Sequence, residues 1–480
     1  MTPGIVFTVI VIYFIILIII ARITSRGADT NVFFTANRQS PWYIVAFGMI
    51  GASLSGVTFI SVPGEVGNSH FEYFQIVLGY LLGYLVVGGV LMPLYYRLNL
   101  ITIYTYLETR FGFWSYKTGS FFLLLSRTIG SSFRLYLVAM VLQIAVFDAW
   151  GIPLWVTVLI TLALIWLYTN KGGVKTIIWT DTIQAFFMLA TVGVTIFIVA
   201  DSLGIKPSNF VAVISESDYS SMFVWDWRHE HNFFKQFLAG AFISIAMTGL
   251  DQDMMQKNLT CRNIKEAQKN MFWFSIVLVF ANLMFLSLGA LLYMYADTFA
   301  VALPGKTDML FPTLALNHFS PFVGLLFIIG IIAAAYSSAD SALTALTTSF
   351  CVDILNFRDQ EESYKKRVRT RVHIGFSVLT FLVILLFALI NDESVINSLF
   401  TAAGYTYGPL LGLFAFGMFT KYPVKDRWVP WICLASPLLS YIINIYSADL
   451  FWGYRFGFEI LLLNGFLTFM GLLIISRRKN

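Results

Sequence analysis

Long apolar runs that do not alternate dominate the hydrophobic pattern of this chain. Crossing the hydrocarbon layer as a helix takes about 20 apolar residues. Thirteen stretches meet that requirement, near 4–21, 42–63, 74–96, 118–147, 152–169, 177–200, 234–250, 271–296, 321–350, 372–390, 395–419, 428–447 and 456–476. A transmembrane strand would alternate over about 10 residues, and the run from Ile10 to Ile20 does not. The pattern therefore predicts an all-α polytopic membrane protein with 13 transmembrane helices. No basic segment precedes the first run, and its first positive charge, Arg22, follows it. It reads as a retained helix with its N-terminus outside, not as a cleaved signal.

Composition agrees. Apolar residues make up 58% of the 480 and charged residues 12%, about half the roughly 25% of a soluble domain. Mean hydropathy is +0.76. The excess of 31 Lys+Arg over 26 Asp+Glu is too diffuse for nucleic acid. Cys261, Cys351 and Cys433 are widely spaced and lack His neighbours, which excludes a disulfide framework or a cysteine metal site.

Charge then orients the spans. With an external N-terminus and thirteen crossings, the cytoplasmic segments hold 24 Lys+Arg: three each near 22–38 and 97–117, two at 171–175, four at 257–269, six at 358–371, three at 421–427 and three in the tail. The external loops hold five, namely Lys206, Arg228, Lys235, Lys306 and Arg455. This asymmetry follows the positive-inside rule and sets the C-terminus in the cytoplasm. Only two external segments, 201–233 and 297–320, are long, so residues 1–480 form a single membrane domain.

Polar groups inside the hydrocarbon are costly and point to function. The second span carries Gly48, Gly51, Ser53, Leu54, Ser55, Gly56, Thr58, Ser61 and Pro63. It is either a helix opened so that its carbonyls line a cavity or meet an ion, or a seam of small residues for tight packing. In the ninth span Ser337, Ser341, Thr344 and Thr348 share one helical face, with Asp340 beside them. Such hydroxyls, with a free carbonyl, supply hard oxygen ligands for an alkali cation; the alternative is an interhelical hydrogen-bond seam. The sixth span offers Thr180, Asp181 and Gln184, a buried polar site or a helix-entry carboxylate. In the fourth span, Arg127 is placed to snorkel toward the cytoplasm. Arg134 sits near mid-span and requires a partner, Asp340 in first place or an anionic solute in second. The stretch Thr248–Asp253 closes the seventh span, where helix termination or gating contacts fit. The basic run Lys365–Arg371 is a topology signal.

Together these residues resemble the sodium/solute symporter family. The likeness rests on the Gly51–Gly56 break and on Gly-Gly before Trp179-Thr180-Asp181-Thr182-Ile183-Gln184. It extends to Gly249-Leu250-Asp251-Gln252 and to Ala333–Ser341 ahead of Asp353. The resemblance implies a leucine-transporter-like fold: an extra N-terminal helix (4–21), a five-plus-five inverted repeat (about 42–200 and 234–419) and two peripheral C-terminal helices (about 428–476). It further implies a sodium site on the carbonyls of Gly51, Leu54 and Ala334 and the hydroxyls of Ser337 and Ser338. A second sodium site would fall on Asp181, Ser337, Asp340 and Ser341. Solute would sit at the midplane near Ser53, Ser55, Thr58, Phe74, Gln75, Arg134 and Ser244. Ser53 replaces the Asn that sugar-carrying relatives have in the break, which turns the expectation away from a galactose-like pattern; the hydroxyls with Arg134 resemble sites for carboxylate-bearing solutes such as sialic acid, with a sugar as the other expectation.

The expected activity is sodium-coupled symport of a small polar solute across the plasma or inner membrane, by a monomer, with Na+ as coupling ion and no organic cofactor. Two rivals remain at this stage. A proton-coupled carrier of another fold would use Asp181, Asp340 and Arg134 as a relay. A membrane-embedded enzyme would want His or paired carboxylates in a cavity, yet His70, His229, His231 and His318 fall in external loops and His373 begins the tenth span.

Overall fold

The computed structural model describes residues 3–24, 36–100, 102–356, 360–390 and 394–476, with the side chains of 168–173 and 362 left aside. Of the basic positions counted above, Arg26, Arg358, Arg477, Arg478 and Lys479 and the side chain of Lys171 lie outside those residues. No β-strand forms among the described residues; Ser40–Cys261 and Val424–Ser476 make isolated bridges.

The principal helices are α1 (Pro3–Thr24), α2 (Trp42–Ser53), α3 (Gly56–Ser69), α4 (Tyr73–Val86), α5 (Phe113–Leu142) and α6 (Leu154–Ser202). They continue with α7 (Phe233–Ser244), α8 (Gln252–Asn258), α9 (Ile264–Thr298), α10 (Pro321–Ser349), α11 (Glu362–Ile390), α12 (Val395–Thr406), α13 (Gly408–Phe419), α14 (Val429–Ile445) and α15 (Ile460–Ile475). Among the described residues, eight helical stretches are long and apolar enough to cross a bilayer, or eleven if each of three bent pairs counts as one span. Leu154–Leu167 and Ile460–Ile475 are shorter apolar helices.

The bent pairs have local causes. Helices α2 and α3 meet at 55°, α7 and α8 at 69°, and α12 and α13 at 45°. At the first bend, Leu54 (ψ 82°) and Ser55 (ψ 179°) leave helical geometry in a stretch where glycine and serine make a poor helix. At the second, Asp251 adopts an extended conformation and its carboxylate caps α8, accepting from the Asp253 and Met254 N–H groups. The third lies at Tyr407, just ahead of Pro409.

Helix α6 runs for 49 residues, about 73 Å at 1.5 Å per residue and far more than one hydrocarbon thickness. Its contacts divide it. Trp150, just ahead of it, packs on Phe7 near one end of α1, whereas the Thr176 hydroxyl hydrogen-bonds Thr24 at the other end. By Thr176 the chain has run the length of α1, and Val174–Ser202 is itself a candidate span.

Helix α10 is the centre of the protein. Every residue from Gly330 to Ser349 is buried, so its hydroxyls and Asp340 face protein on all sides. Helices α11 and α14 are mostly exposed, as lipid-facing helices would be. Helices α4 and α7 pack backbone to backbone: a Cβ on Gly79 would collide with the Phe237 carbonyl, and one on Gly240 with the Ile76 carbonyl. Small residues permit this approach in a membrane, where helix association depends on packing. Gly79→Val should therefore lower stability by about 1–3 kcal/mol through overpacking, read as a fall in the thermal midpoint of the purified protein. Gly89→Val, in open space, should leave it near wild type.

Candidate functional site

The break between α2 and α3 releases a backbone acceptor. Leu54 N–H still bonds the Ile50 carbonyl at 2.8 Å, but Ser55 N–H turns to the Ser53 carbonyl at 3.1 Å. The Gly51 carbonyl thereby loses the partner four residues on that a continuous helix would supply. Across from it stands α10. A Cβ on Gly51 would lie 3.1 Å from Ser337 Oγ and 2.7 Å from the Asp181 carbonyl oxygen, so glycine is what lets the three backbones converge. Ser337 Oγ is buried beside the Asp181 side chain and forms no hydrogen bond of ordinary geometry. Ser338 Oγ donates to the Ala335 carbonyl at 3.0 Å and lies 3.4 Å from the Ala334 carbonyl. The structure thus packs Gly51 against Ser337, with Leu54 in the break three residues past Gly51 and with Ala334 and Ser338 buried on the same stretch of α10. An orphaned hydroxyl beside a released carbonyl is a donor set that fits a small hard cation.

On the α8 side of this junction lies a buried charge network. Arg127 does not snorkel: it is 4% exposed and ion-paired to Asp251 at 3.5 Å and to Asp253. The bend of the seventh span delivers both carboxylates inside the protein, which gives the guanidinium a partner closer than the interface. Asp251 also accepts from the Tyr407 hydroxyl at 2.7 Å. Lys257, counted above as a loop charge, is 1% exposed; its Nζ lies 2.8 Å from Asp181 Oδ2 and 3.6 Å from Asp253 Oδ1. Asp181 is fully buried and receives the Ser341 hydroxyl at 3.4 Å, so it is no interfacial carboxylate. Asp340 adjoins this group, accepting from the Ser341 N–H at 2.5 Å.

The other face of the break borders a cavity of about 70 Å³ lined by Ser53, Leu54, Ser55, Thr58, Arg134 and Ser244. Arg134 makes no ion pair among the described residues, and its buried Nε has no hydrogen-bond partner. The Arg134–Asp340 pair placed first by sequence reasoning is not formed. The proton relay is not assembled either, because Asp181 is engaged by Lys257. Gln75 and Phe74 lie away from the cavity. The Gln75 amide binds the Glu72 and His231 carbonyls and the Val224 N–H, tying down the long loop, and Phe74 packs in the apolar core.

Sequence reasoning missed Tyr73, Tyr80, Tyr84, Asn282 and Phe400 in the cavity wall. The spacing of the three tyrosines, i, i+7 and i+11, does mark one helical face. Tyr73 stacks on Phe400 (centroids 6.3 Å, 11°), and beyond this pair lies a second cavity lined by Glu72 and His231. The Glu72 carboxylate meets His231 Nδ1 at 2.5 Å, and this hydrogen bond raises the His231 pKa above its ordinary value against the opposing effect of burial.

Broken helices that present backbone and hydroxyl oxygens beside a central cavity define a polytopic secondary transporter. The chain belongs to the sodium:solute symporter family, whose profile matches residues 33–423. It is 24% identical over 460 residues to the sodium/sialic acid symporter NanT of Aliivibrio fischeri, covering 92% of this chain and 88% of that one. To the human sodium/iodide cotransporter it is 25% identical over 412 residues, which is 83% of this chain but only 62% of that protein's length. A solved substrate-bound, outward-open Na+-coupled sialic acid symporter shares the fold over 99% of both chains, with TM-score 0.79 and 20% identity. The more distant nucleobase-cation-symport-1 transporter Mhp1 matches with TM-score 0.54, 13% identity and coverage of 92% and 93%. The chain is accordingly a membrane transporter and not an enzyme, and sodium is the coupling ion of its family.

Two outcomes follow from this geometry. Arg127→Gln should cost about 3–5 kcal/mol by leaving buried carboxylates unpaired, and adding Asp253→Asn should restore much of it, as read from thermal midpoints. For His231, a raised folded pKa means that its contribution is complete below the unfolded value of about 6.5 and disappears as pH rises through the folded one. The thermal midpoint should fall between about pH 6 and pH 8 by an amount that His231→Gln removes.

Proposed function

We propose that this protein is a sodium-coupled importer that carries a small polar organic solute bearing a carboxylate by alternating access. The observation that supports the reading most directly is the close packing of Gly51, whose carbonyl is released by the break, against the buried Ser337 hydroxyl. In this reading sodium binds the carbonyls of Gly51, Leu54 and Ala334 and the hydroxyls of Ser337 and Ser338. It bridges the broken span to α10 and so organises the cavity on the other face of the same break. Ser53, Ser55, Thr58 and Ser244 hydrogen-bond the solute, and Arg134 pairs with its carboxylate. The names of NanT and of the Proteus mirabilis sodium/sialic acid symporter SiaT support a sialic-acid-like solute, as does an arginine without an internal counterion beside the cavity. Tyr73 and Phe400 close the external side, and the Arg127–Asp251–Asp253 group closes the cytoplasmic side.

The same reading includes thirteen crossings. These are the eleven long or bent spans plus the shorter helices Leu154–Leu167 and Ile460–Ile475, with the N-terminus outside and the C-terminus in the cytoplasm of the plasma membrane. The spans that open each five-helix repeat, α2–α3 and α7–α8, are both bent, which supports the inverted repeat. The protein acts as a monomer. Energetically, one charge moved across about 100 mV yields about 2.3 kcal/mol, and a tenfold gradient adds about 1.4 kcal/mol. One sodium therefore sustains a roughly 500-fold gradient of a neutral or zwitterionic solute, whereas with a solute of one net negative charge the two charges cancel in the field and only the roughly tenfold ratio of the sodium gradient itself is available.

A solute screen by thermal shift in sodium against potassium tests this, because a ligand of the folded state raises the midpoint in proportion to its occupancy. Sialic acids should stabilise the protein in sodium and hardly at all in potassium. Ser337→Ala with Ser338→Ala should raise the sodium required about tenfold or more, and Arg134→Gln should abolish the response to carboxylates. A sodium dependence unchanged in the double alanine variant would show that the ion sits elsewhere.

A further inference from the structure

We propose that the Lys257 ammonium is a built-in cation occupying a second cation position, so that the transporter works with a single mobile sodium. This deepens the preceding reading and rests on its sodium site.

The position is defined by oxygen atoms. Asp181 Oδ2 lies 2.8 Å from Lys257 Nζ and accepts the Ser341 hydroxyl at 3.4 Å, and Asp253 Oδ1 lies 3.6 Å from the same ammonium. Asp340 is adjacent, and Asp181 and Lys257 are essentially sealed from solvent. Two carboxylates and a hydroxyl around one buried point are what a hard cation prefers. A lysine head carries the same unit charge and three donors for such acceptors. It therefore satisfies the set that a second sodium would need. The two cannot share it, because like charges a few ångström apart in a poorly screened interior repel strongly.

The attachment point gives the substitution a mechanistic meaning. Lys257 lies on α8, the half-span beyond the 69° bend, whereas Asp181 is on α6 and Ser341 on α10. The ammonium thus ties a segment that can swing to the two helices that pack most extensively around the sodium junction. A free ion here would leave with the solute and carry charge down its gradient. A tethered one stays, stabilises the closed cytoplasmic side and contributes nothing to the driving force.

The test is equilibrium binding of ²²Na+ to the purified full-length protein. Wild type should saturate at one sodium per chain, and Ser337→Ala with Ser338→Ala should weaken that binding at least tenfold. Lys257→Met, which empties the position, should raise the capacity to two. Lys257→Met with Asp181→Asn, which removes both members of the pair and leaves neither charge orphaned, should return it to one. A capacity of two in wild type overturns the proposal, as does a capacity of one in a folded Lys257→Met protein. Loss of all binding in the double neutral variant also overturns it, by making Asp181 a ligand of the first ion. Should Lys257→Met fail to fold, wild type and the double neutral variant decide between these results. Absence of sodium binding in wild type is a separate outcome that removes the sodium site itself.

Discussion

A backbone amide in hydrocarbon has no water to turn to, and this constraint organises the protein. Continuous helices satisfy it internally. The break at Leu54–Ser55 violates it locally and is tolerable only because another protein surface lies opposite. That surface is α10, buried along its whole inner length and presenting the Ser337 hydroxyl where the Gly51 backbone arrives. One interruption exposes oxygen on one face and borders a cavity on the other. In the proposed reading, ion and solute act on the same few residues, and coupling between them requires no distant relay.

The second organising feature is the buried charge network. Six ionisable side chains (Arg127, Asp181, Asp251, Asp253, Lys257 and Asp340) are withdrawn from solvent near the α8 end of the cavity. Isolated, each would be prohibitively costly there. Pairing makes them tolerable, and the pairs link α5, α6 and α8. The segment carrying Asp253 and Lys257 follows a bend, so the network fastens the half-span beyond that bend to α5 and α6. On the opposite side the closure is chemically different: a stacked aromatic pair, a glutamine that fastens a loop, and a histidine–carboxylate contact.

Membrane class and helical architecture were legible in the chain because lipid imposes a one-dimensional rule on residue type and length. The glycine-serine break and the hydroxyl face were legible for a similar reason, since helical spacing and local propensity are properties of neighbours in sequence. Lys257 was misjudged because a lysine a few residues past an apolar run looks the same whether the chain exits the membrane or bends and stays inside. Arg127 was misjudged in the same way, its partners lying 124 and 126 residues away. Gln75 was carried to the solute site by resemblance alone, and sequence does not say what a buried amide will bond; the long loop before α7 takes it.

By itself, then, the sequence determined the class, the all-helical architecture, the place of the break and the residues capable of offering oxygen to an ion. Those follow from hydropathy, propensity and periodicity, which act over a few turns of chain. Only the tertiary structure decided which charges pair, that Arg134 is left facing the cavity, and that Asp181 meets an ammonium. Ion pairing depends on distances of a few ångström between helices far apart in the chain. Those distances are set by how the bent spans pack.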